Sequence, residues 1–287
     1  MKVTKLKSPA KINVRLDVLG VRQDGYHDLQ MINTAVNLFD DIEVELMEKG
    51  IDIVCENDSN VPDGDQNIVY GVAKEILAYS NKNIGVRIRI KKNIPSAAGM
   101  GGGSSNAATV LMGLNEMLKI HLPKDKLMHI GLRFGADVPF FIMQSPAIAR
   151  GIGEDITKIK KMPKLPLVIV SPNIKVPTKW VFDKFSASND NQPAVSGVDQ
   201  SIPVQFTTKK SVIKYLNNDL ESITTSRYPV VTDIKKALLK CGALGCQMTG
   251  SGPTVFGIYS NKEAQEIASN KLKNAVTDCQ VFMAENI

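Results

Sequence analysis

The chain has 287 residues, of which 43% are hydrophobic and 22% are charged, and it carries a net charge of +6 at pH 7. This composition is typical of a soluble globular protein, and the length suffices for two ordinary domains. It contains no apolar run near the roughly 20 residues that a membrane helix needs. The first residues also lack the apolar core of a signal peptide. We therefore expect a cytoplasmic protein without a membrane partner.

The reactive and basic residues exclude several other classes of protein. The four cysteines are scattered without a CxxC pair, which predicts reduced and mostly buried thiols. The three histidines have no spacing typical of a zinc site. The densest basic run, at residues 158–164, has no interleaved aromatic residues, so we interpret it as a solvated connector rather than a nucleic-acid patch. We expect no nucleic-acid partner, although the positive charge suits a polyphosphate substrate.

The first half of the chain alternates like β-strands and then changes to helical spacing. Apolar residues near the start follow the pattern of a half-buried strand: Ile12, Val14, Leu16 and Val18. Turns are predicted near residues 40–41 and 49–50, a helix over 66–80 and a strand over 84–90. A glycine-rich loop and a second helix follow, and Ser104 or Ser105 is the natural N-cap of that helix.

The second half reads as a separate unit. The basic, proline-containing stretch near residues 158–165 predicts a domain boundary, with domains over 1–160 and 161–287. Beyond it we predict a buried strand over 165–172, a long polar loop over 185–206 and a helix over 231–245. Two strands around a second glycine turn, another helix and a final strand complete the chain. This alternation predicts a small α/β sandwich, and the whole chain is assigned to the α+β class.

The glycine-rich segment "PSAAGMGGGSSNAA", which begins at Pro95, carries the strongest chemical signal. Glycines between a strand and a helix allow a group to come close to the main chain, and the helix N-terminus attracts anions. The group is therefore expected to be phosphate. A P-loop is excluded because no lysine follows the glycines, and a dinucleotide fingerprint fails because Ser104 stands at the third glycine position.

Three segments, taken together, resemble the GHMP kinase superfamily: "SPAKINVRLDVLG", "PSAAGMGGGSSNAA" and "GCQMTGSGPTVFGIY". The resemblance implies an N-terminal β-rich α/β domain like ribosomal protein S5 domain 2 and a C-terminal ferredoxin-like α/β sandwich. The segments "DGYHDL", "FGADVPFFI" and "ARGIGEDITKI" resemble the branch that acts on CDP-methylerythritol. Residues 185–208 match least.

The resemblance implies a reaction and a set of site residues. The γ-phosphoryl group of ATP, with Mg²⁺, would pass to the 2-hydroxyl of CDP-methylerythritol in non-mevalonate isoprenoid biosynthesis. Asp137 would act as the base, beside Lys11, which stabilises the developing charge. The ATP-binding residues implied are Pro95, Ser96, Ala97, Ala98, Gly99, Met100, Gly101, Gly102, Gly103, Ser104, Ser105 and Asn67. The substrate-binding residues implied are Asn13, Tyr26, His27, Thr178 and Phe182. His27 would form hydrogen bonds with the edge of the cytosine. Tyr26 and Phe182 would contact its faces, and Trp180 is the alternative to Phe182.

Several alternatives stay open at this point. Asp137 could orient the hydroxyl without removing its proton, and Asn67 could be an ordinary helix cap. The glycine turn at Gly250 and Gly252 could close the site or form a hairpin without ligand contact. The chain could instead be a homoserine or mevalonate type of GHMP kinase, or a catalytically silent homologue that binds nucleotide. We expect a monomer or a weak homodimer.

Overall fold

The computed structural model describes residues 3–58, 61–80, 82–188 and 201–287, and these residues form eleven strands and nine α-helices. The chain divides into two compact units. Unit 1 comprises Met1–Ala10, Leu38–Ser96 and Gly101–Gln144, and unit 2 comprises Lys11–Asn37, Ala97–Met100 and Ser145–Ile287. Within the described ranges no helix is long and apolar enough to cross a bilayer. The division at residue 160 stays a prediction.

Two long strands, β1 (Val3–Val21) and β2 (His27–Met47), each contribute to both units. In unit 1 the end of β2 pairs antiparallel with β4 (Gly85–Lys91), which pairs in parallel with β3 (Ile51–Glu56). The turn predicted near residues 40–41 is wrong, because β2 continues through them. Asp40 lies inside this strand and is fully buried.

The helices of unit 1 are α1 (Ile68–Ala78), α2 (Gly102–Met117), α3 (Lys124–Leu132) and α4 (Val138–Met143). Helix α2 packs against α1 and α4, and α3 packs against α4. The predicted serine N-cap of α2 is wrong, because the observed N-cap lies three or four residues earlier. Its N-cap is Gly101, with φ of +67°, a left-handed conformation that glycine adopts without steric cost.

In unit 2 the first part of β2 pairs antiparallel with β5 (Ala147–Gly151), and β5 pairs antiparallel with β6 (Asp155–Lys158). The short strand β8 (Asn217–Asn218) pairs in parallel with β1. The half-buried pattern predicted for β1 is wrong, because residues 11–17 are buried on both faces. One face carries the expected apolar side chains, and the other carries four buried polar ones: Lys11, Asn13, Arg15 and Asp17.

A second sheet of unit 2 has the strand order β11 (Cys279–Glu285), β7 (Pro166–Pro172), β10 (Val255–Ile258), β9 (Gly245–Met248), with antiparallel neighbours throughout. Helix α8 (Val230–Lys240) precedes β9, and α9 (Lys262–Ala275) connects β10 to β11. This βαββαβ order is that of a ferredoxin-like sandwich. The predicted α+β class and sandwich are therefore confirmed.

Three further helices of unit 2 are α5 (Thr178–Ser188), α6 (Lys209–Ile213) and α7 (Glu221–Arg227). The start predicted for the long loop, at residue 185, is too early in the sequence, because residues 185–188 still belong to α5. Apolar side chains at helical spacing hold that helix on the unit 2 core, and Val181 is fully buried. Residues 189–200 of the predicted loop lie outside the described residues.

Candidate active site

The glycine loop and the second glycine turn touch through their main chains within unit 2. Gly99 has φ of +76°, and a Cβ atom there would lie 2.2 Å from the carbonyl oxygen of Thr249. Gly250 has φ of +59°, and a Cβ atom there would lie 3.0 Å from the Cα of Gly99. Both positions therefore require glycine because the two backbones approach one another. The second turn supports the first loop, and its contact with a ligand stays a prediction.

The hydroxyl of Thr249 joins this loop to β1. Its Oγ1 accepts a hydrogen bond from the backbone N–H of Asn13 at 2.9 Å. The same oxygen lies 3.2 Å from the carbonyl oxygen of Gly99, to which it can donate. A second tie is the hydrogen bond of 3.0 Å from the N–H of Lys11 to the carbonyl of Met100. Backbone and hydroxyl bonds thus fix residues 97–100 against the strand that carries Lys11.

The N-terminus of α2 in unit 1 has the features of an anion site. The first backbone N–H groups of a helix have no intrahelical acceptor, and the helix dipole is positive there. In α2 these groups belong to Gly102, Gly103 and Ser104. A Cβ atom on Gly103 would meet nothing within 4 Å. The first turn of a 16-residue helix thus presents free donors next to open space, which suits a phosphate group.

A buried polar network, which the sequence patterns did not indicate, lies under this helix start. The ammonium of Lys92 forms an ion pair with Asp40, and their side chains are 4% and 0% exposed. The Nδ2 of Asn106 donates to Asp40 at 2.9 Å and to the hydroxyl of Ser8 at 2.9 Å. That hydroxyl in turn donates to Ser105 at 2.8 Å.

The network also reaches the glycines. A Cβ atom on Gly102 would lie 3.2 Å from the Nζ of Lys92. The Oδ1 of Asp40 accepts from the backbone N–H groups of Asn93 and Ile94, at 2.8 and 2.9 Å. Asp40 therefore positions both the lysine and the chain that leads into the loop. The sequence around Asp40 offers only a pair of adjacent carboxylates, a pattern that predicts a turn.

Asn67 is the N-cap of α1. Its Oδ1 accepts from the N–H of Val69 at 2.9 Å, and its Nδ2 donates to the carbonyl of Pro62 at 2.8 Å. Asn67 therefore acts as a helix cap, which was one of the two alternatives for it. A contact of Asn67 with nucleotide stays a prediction.

Lys11 and Asn13 lie side by side on β1, and both are buried. The Nζ of Lys11 donates to the Oδ1 of Asn13 at 2.7 Å. The Nδ2 of Asn13 donates to the Oδ1 of Asn33 on β2 at 2.6 Å. Two of the expected site residues are thus joined, and Asn33, which sequence reasoning missed, extends the cluster.

His27 and Phe182 are also brought together, as expected. Their ring centroids lie 4.8 Å apart with an interplanar angle of 39°, and the Nε2 of His27 lies 2.7 Å from the hydroxyl of Ser186. Burial lowers the pKa of His27 below its ordinary value, against the weaker opposing effect of Asp183. Tyr26 is 62% exposed.

Trp180, the rival aromatic residue, packs elsewhere in unit 2. Its ring meets Tyr228 edge-on at 6.1 Å between centroids, and the guanidinium of Arg227 lies 4.7 Å above it. The geometry therefore favours Phe182 as the partner of His27. Thr178, at the start of α5, has its hydroxyl 2.9 Å from that of Ser251 in the second glycine turn.

Asp137 occupies the N-cap position of α4, where its side chain makes no capping hydrogen bond. Asp137 therefore lies between α3 and α4, directly before the first residue of α4. The pairing of Asp137 with Lys11 stays a prediction.

Comparison with known proteins gives a consistent result. Residues 67–145 match the family model of the GHMP kinases N terminal domain, and residues 208–278 match that of the GHMP kinases C terminal. A Geobacter sulfurreducens protein named 4-diphosphocytidyl-2-C-methyl-D-erythritol kinase is 47% identical over 95% of this chain and 96% of its own length. A protein of the same name from Citrifermentans bemidjiense is 44% identical over 96% of each chain.

Solved structures agree with these matches. A crystal structure of 4-(cytidine 5'-diphospho)-2C-methyl-D-erythritol kinase superimposes with a TM-score of 0.80 at 28% identity, over 99% of this chain and 100% of that one. The mevalonate kinase of Methanococcus jannaschii has a TM-score of 0.73 at 15% identity, over 100% of this chain and 99% of that one, and shows the fold alone. The expectation from the sequence motifs is confirmed: the chain belongs to the GHMP kinase family, in the group formed by the 4-diphosphocytidyl-2-C-methyl-D-erythritol kinases.

Proposed function

We propose that this chain transfers the γ-phosphoryl group of ATP to the 2-hydroxyl of 4-diphosphocytidyl-2-C-methyl-D-erythritol, a step of non-mevalonate isoprenoid biosynthesis. The observation that carries this proposal is the identity of 44% and 47% to relatives of that name, spanning about the full length of both partners. The phosphoryl donor follows from the kinase family, and the acceptor follows from the specific group.

The phosphate chain of ATP is assigned to the glycine loop. Free N–H groups at the start of α2 and the dipole of that helix favour phosphate oxygens. The proposal assigns ATP contacts to residues 95–105, with backbone N–H groups of residues 99–103 around the phosphates and the hydroxyls of Ser104 and Ser105 near the β- and γ-phosphates. The network around Lys92 and Asp40 holds the start of the helix in place beneath them.

Lys11 and Asp137 are assigned to the transfer itself. A hydroxyl is a weak nucleophile, so a carboxylate that accepts its proton or orients it accelerates attack. Phosphoryl transfer also spreads negative charge over the transferring oxygens, which a fixed ammonium stabilises. Lys11 suits that role because it is 4% exposed and held by Asn13. Both forms of the Asp137 role, base and orienting group, belong to the proposal.

Mg²⁺ is proposed as the companion of ATP. The described residues contain no group of three or more His, Cys, Asp or Glu side chains that could hold a metal ion. We propose an ion that is carried mainly by phosphate oxygens and water, as Mg²⁺ commonly is in kinases. When bound, the ion neutralises phosphate charge.

The cytidine end of the acceptor is assigned to His27 and Phe182. A neutral imidazole can both donate to and accept from the edge of a cytosine, and a phenyl ring offers a stacking face. The lowered pKa of His27 keeps the ring neutral at neutral pH. Tyr26 and Thr178 are proposed at the border of the same region, and Asn13 beside the methylerythritol.

The proposal places the protein in the cytoplasm, as a monomer or weak homodimer without nucleic-acid or membrane partners. The four cysteines are free thiols, which agrees with a reducing compartment. Sedimentation of the purified chain over a range of concentrations tests the oligomeric state.

The acceptor is tested by a coupled ADP-release assay with ATP, Mg²⁺ and one of three acceptors. CDP-methylerythritol should support turnover, whereas homoserine and mevalonate, which have no cytosine, should not. Turnover with only homoserine or only mevalonate would contradict the proposed acceptor, whereas the assignment of kinase activity would stand. No turnover with any of them by a protein that still binds ATP would favour a catalytically silent homologue.

A further inference from the structure

The side chains of Lys11 and Asn13 on β1 and of Asn33 on β2 form a chain of hydrogen bonds. Lys11 determines which atom donates and which accepts along this chain. A lysine ammonium has three donors and no acceptor. The atom of Asn13 that faces Lys11 must therefore be its carbonyl oxygen, and its amide nitrogen must face Asn33. By the same reasoning the oxygen of the Asn33 amide faces Asn13, and the Nδ2 of Asn33 is turned away from it.

That terminal nitrogen has no acceptor in the part of the chain that the structure describes. Asn33 is 1% exposed, and its Nδ2 is one of the buried side-chain atoms without a hydrogen-bond partner among the described residues. Leaving a buried donor unpaired costs about 1–3 kcal/mol. A ligand oxygen that accepts from Asn33 removes this cost, so the site favours a ligand that carries one.

The position of Asn33 along β2 indicates which part of a ligand it meets. His27 and Asn33 are separated by an even number of residues, so both project from the same face of the strand. Six residues of extended chain span about 20 Å. A substrate whose cytosine lies at His27 therefore meets Asn33 with its far end, next to Lys11.

We propose that Asn33 is a substrate-binding residue whose Nδ2 donates a hydrogen bond to a hydroxyl oxygen of the methylerythritol moiety. This inference rests on the proposed function. Through Asn13 it couples acceptor binding to Lys11, so the hydroxylated end of the substrate and the ammonium at the transfer site are held by one chain of hydrogen bonds. The donor selects an acceptor oxygen and disfavours an alkyl group at the same place.

Two variants and a matched control test the proposal by steady-state kinetics with ATP and CDP-methylerythritol. Asn33→Asp keeps an oxygen for Asn13 and replaces the donor by an acceptor, and Asn33→Leu removes both. Gln30→Met is the control, because Gln30 lies on the same strand, is 3% exposed and also has an unpartnered Nε2. Its Oε1 accepts from Arg150 and not from the Lys11 cluster.

We expect both Asn33 variants to raise the KM for CDP-methylerythritol about tenfold or more, as loss of a hydrogen bond to a buried group does. The KM for ATP should change less than about twofold, and Gln30→Met should leave both constants unchanged. Unchanged KM for CDP-methylerythritol in Asn33→Asp and Asn33→Leu would overturn the proposal and assign a water molecule to the donor.

A measurement on the unaltered protein covers the case in which the variants fail to fold. The side-chain amide signal of Asn33 in an ¹⁵N spectrum, recognised by its loss in Asn33→Leu or by selective labelling, should shift with CDP-methylerythritol and not with CDP. A signal that does not shift, or that shifts equally with CDP, contradicts the proposal. If the unaltered protein binds neither CDP-methylerythritol nor CDP and releases no ADP, the proposed function fails first and the role of Asn33 falls with it.

Discussion

Gly99 and Thr249 lie 150 residues apart in the sequence, yet the space for a Cβ atom on the first is taken by the carbonyl oxygen of the second. The contact joins the glycine loop to the second glycine turn. It explains why no side chain larger than hydrogen fits at Gly99. A glycine-rich loop is commonly expected to approach a ligand, and at Gly99 the group that approaches is the protein's own backbone.

Gly99→Ala tests this contact. A methyl group would have to enter the 2.2 Å gap to a main-chain oxygen at a φ of +76°. We expect a loss of about 1–3 kcal/mol in the free energy of unfolding, in the range for backbone strain, together with a raised KM for ATP. Urea unfolding and ADP-release kinetics measure the two effects.

Gly103→Ala is the matched control for that substitution. Gly103 lies in α2 with open space around it, so alanine should leave stability unchanged or raise it by up to about 1 kcal/mol through helix propensity. Equal destabilisation by the two substitutions would show that crowding by Thr249 does not explain Gly99.

Lys92→Met tests the ion pair beneath the loop. Removing one partner leaves Asp40 as an uncompensated buried charge, which costs about 3–5 kcal/mol. The surface pair of Lys5 and Glu43, at 3.1 Å and 79% and 38% exposed, is the control. Lys5→Met should change the free energy of unfolding by less than about 1 kcal/mol. Chemical denaturation of both variants decides whether burial makes the difference.

His27 predicts a pH dependence that is confined to one substrate. Burial lowers the pKa of His27 below its ordinary value of 6.5. The ring therefore stays neutral at pH 6.5 and gains a proton only when the pH falls below the lowered pKa. Protonation removes the acceptor nitrogen, so the KM for CDP-methylerythritol should rise several-fold below the lowered pKa while the KM for ATP does not follow. His27→Gln should lose this rise. The same rise in His27→Gln would assign the titration to another group.

The sign for stability follows from the same shift. Because the folded pKa of His27 lies below the unfolded one, the unfolded chain takes up the proton more readily. The contribution of His27 to stability is therefore present above pH 6.5 and is lost as the pH falls through the folded pKa. A free energy of unfolding in His27→Gln that falls over the same range as in the unaltered protein would contradict this.

The sequence patterns located those parts of the molecule that local periodicity and turn chemistry determine. The strand before the glycine loop, the helix after it and the βαββαβ order of the second sheet follow from such patterns. Asp40 could not be found in this way, because its partner Lys92 is 52 residues away and the pair forms only when β2 pairs with β4. A charged residue in a strand is usually solvated, and only tertiary packing decides otherwise.

The same reason explains the site residues that were missed or misplaced. Asn33 is assigned to the site because Asn13 donates a hydrogen bond to it. That bond forms between β1 and β2, so no local sequence pattern predicts it. The start of α2 was placed too late because serine is the commoner N-cap, whereas here the left-handed Gly101 precedes the helix.

The central claim, phosphoryl transfer to CDP-methylerythritol with Asp137 at the transfer site, is tested most directly by ADP release from the unaltered chain beside Asp137→Asn. This substitution keeps the size of the side chain and removes its charge. We predict turnover by the unaltered chain and a loss of roughly 100-fold or more in kcat for Asp137→Asn with ATP binding retained. Turnover that survives the substitution would contradict the assignment of Asp137, and absence of turnover in the unaltered chain would contradict the function.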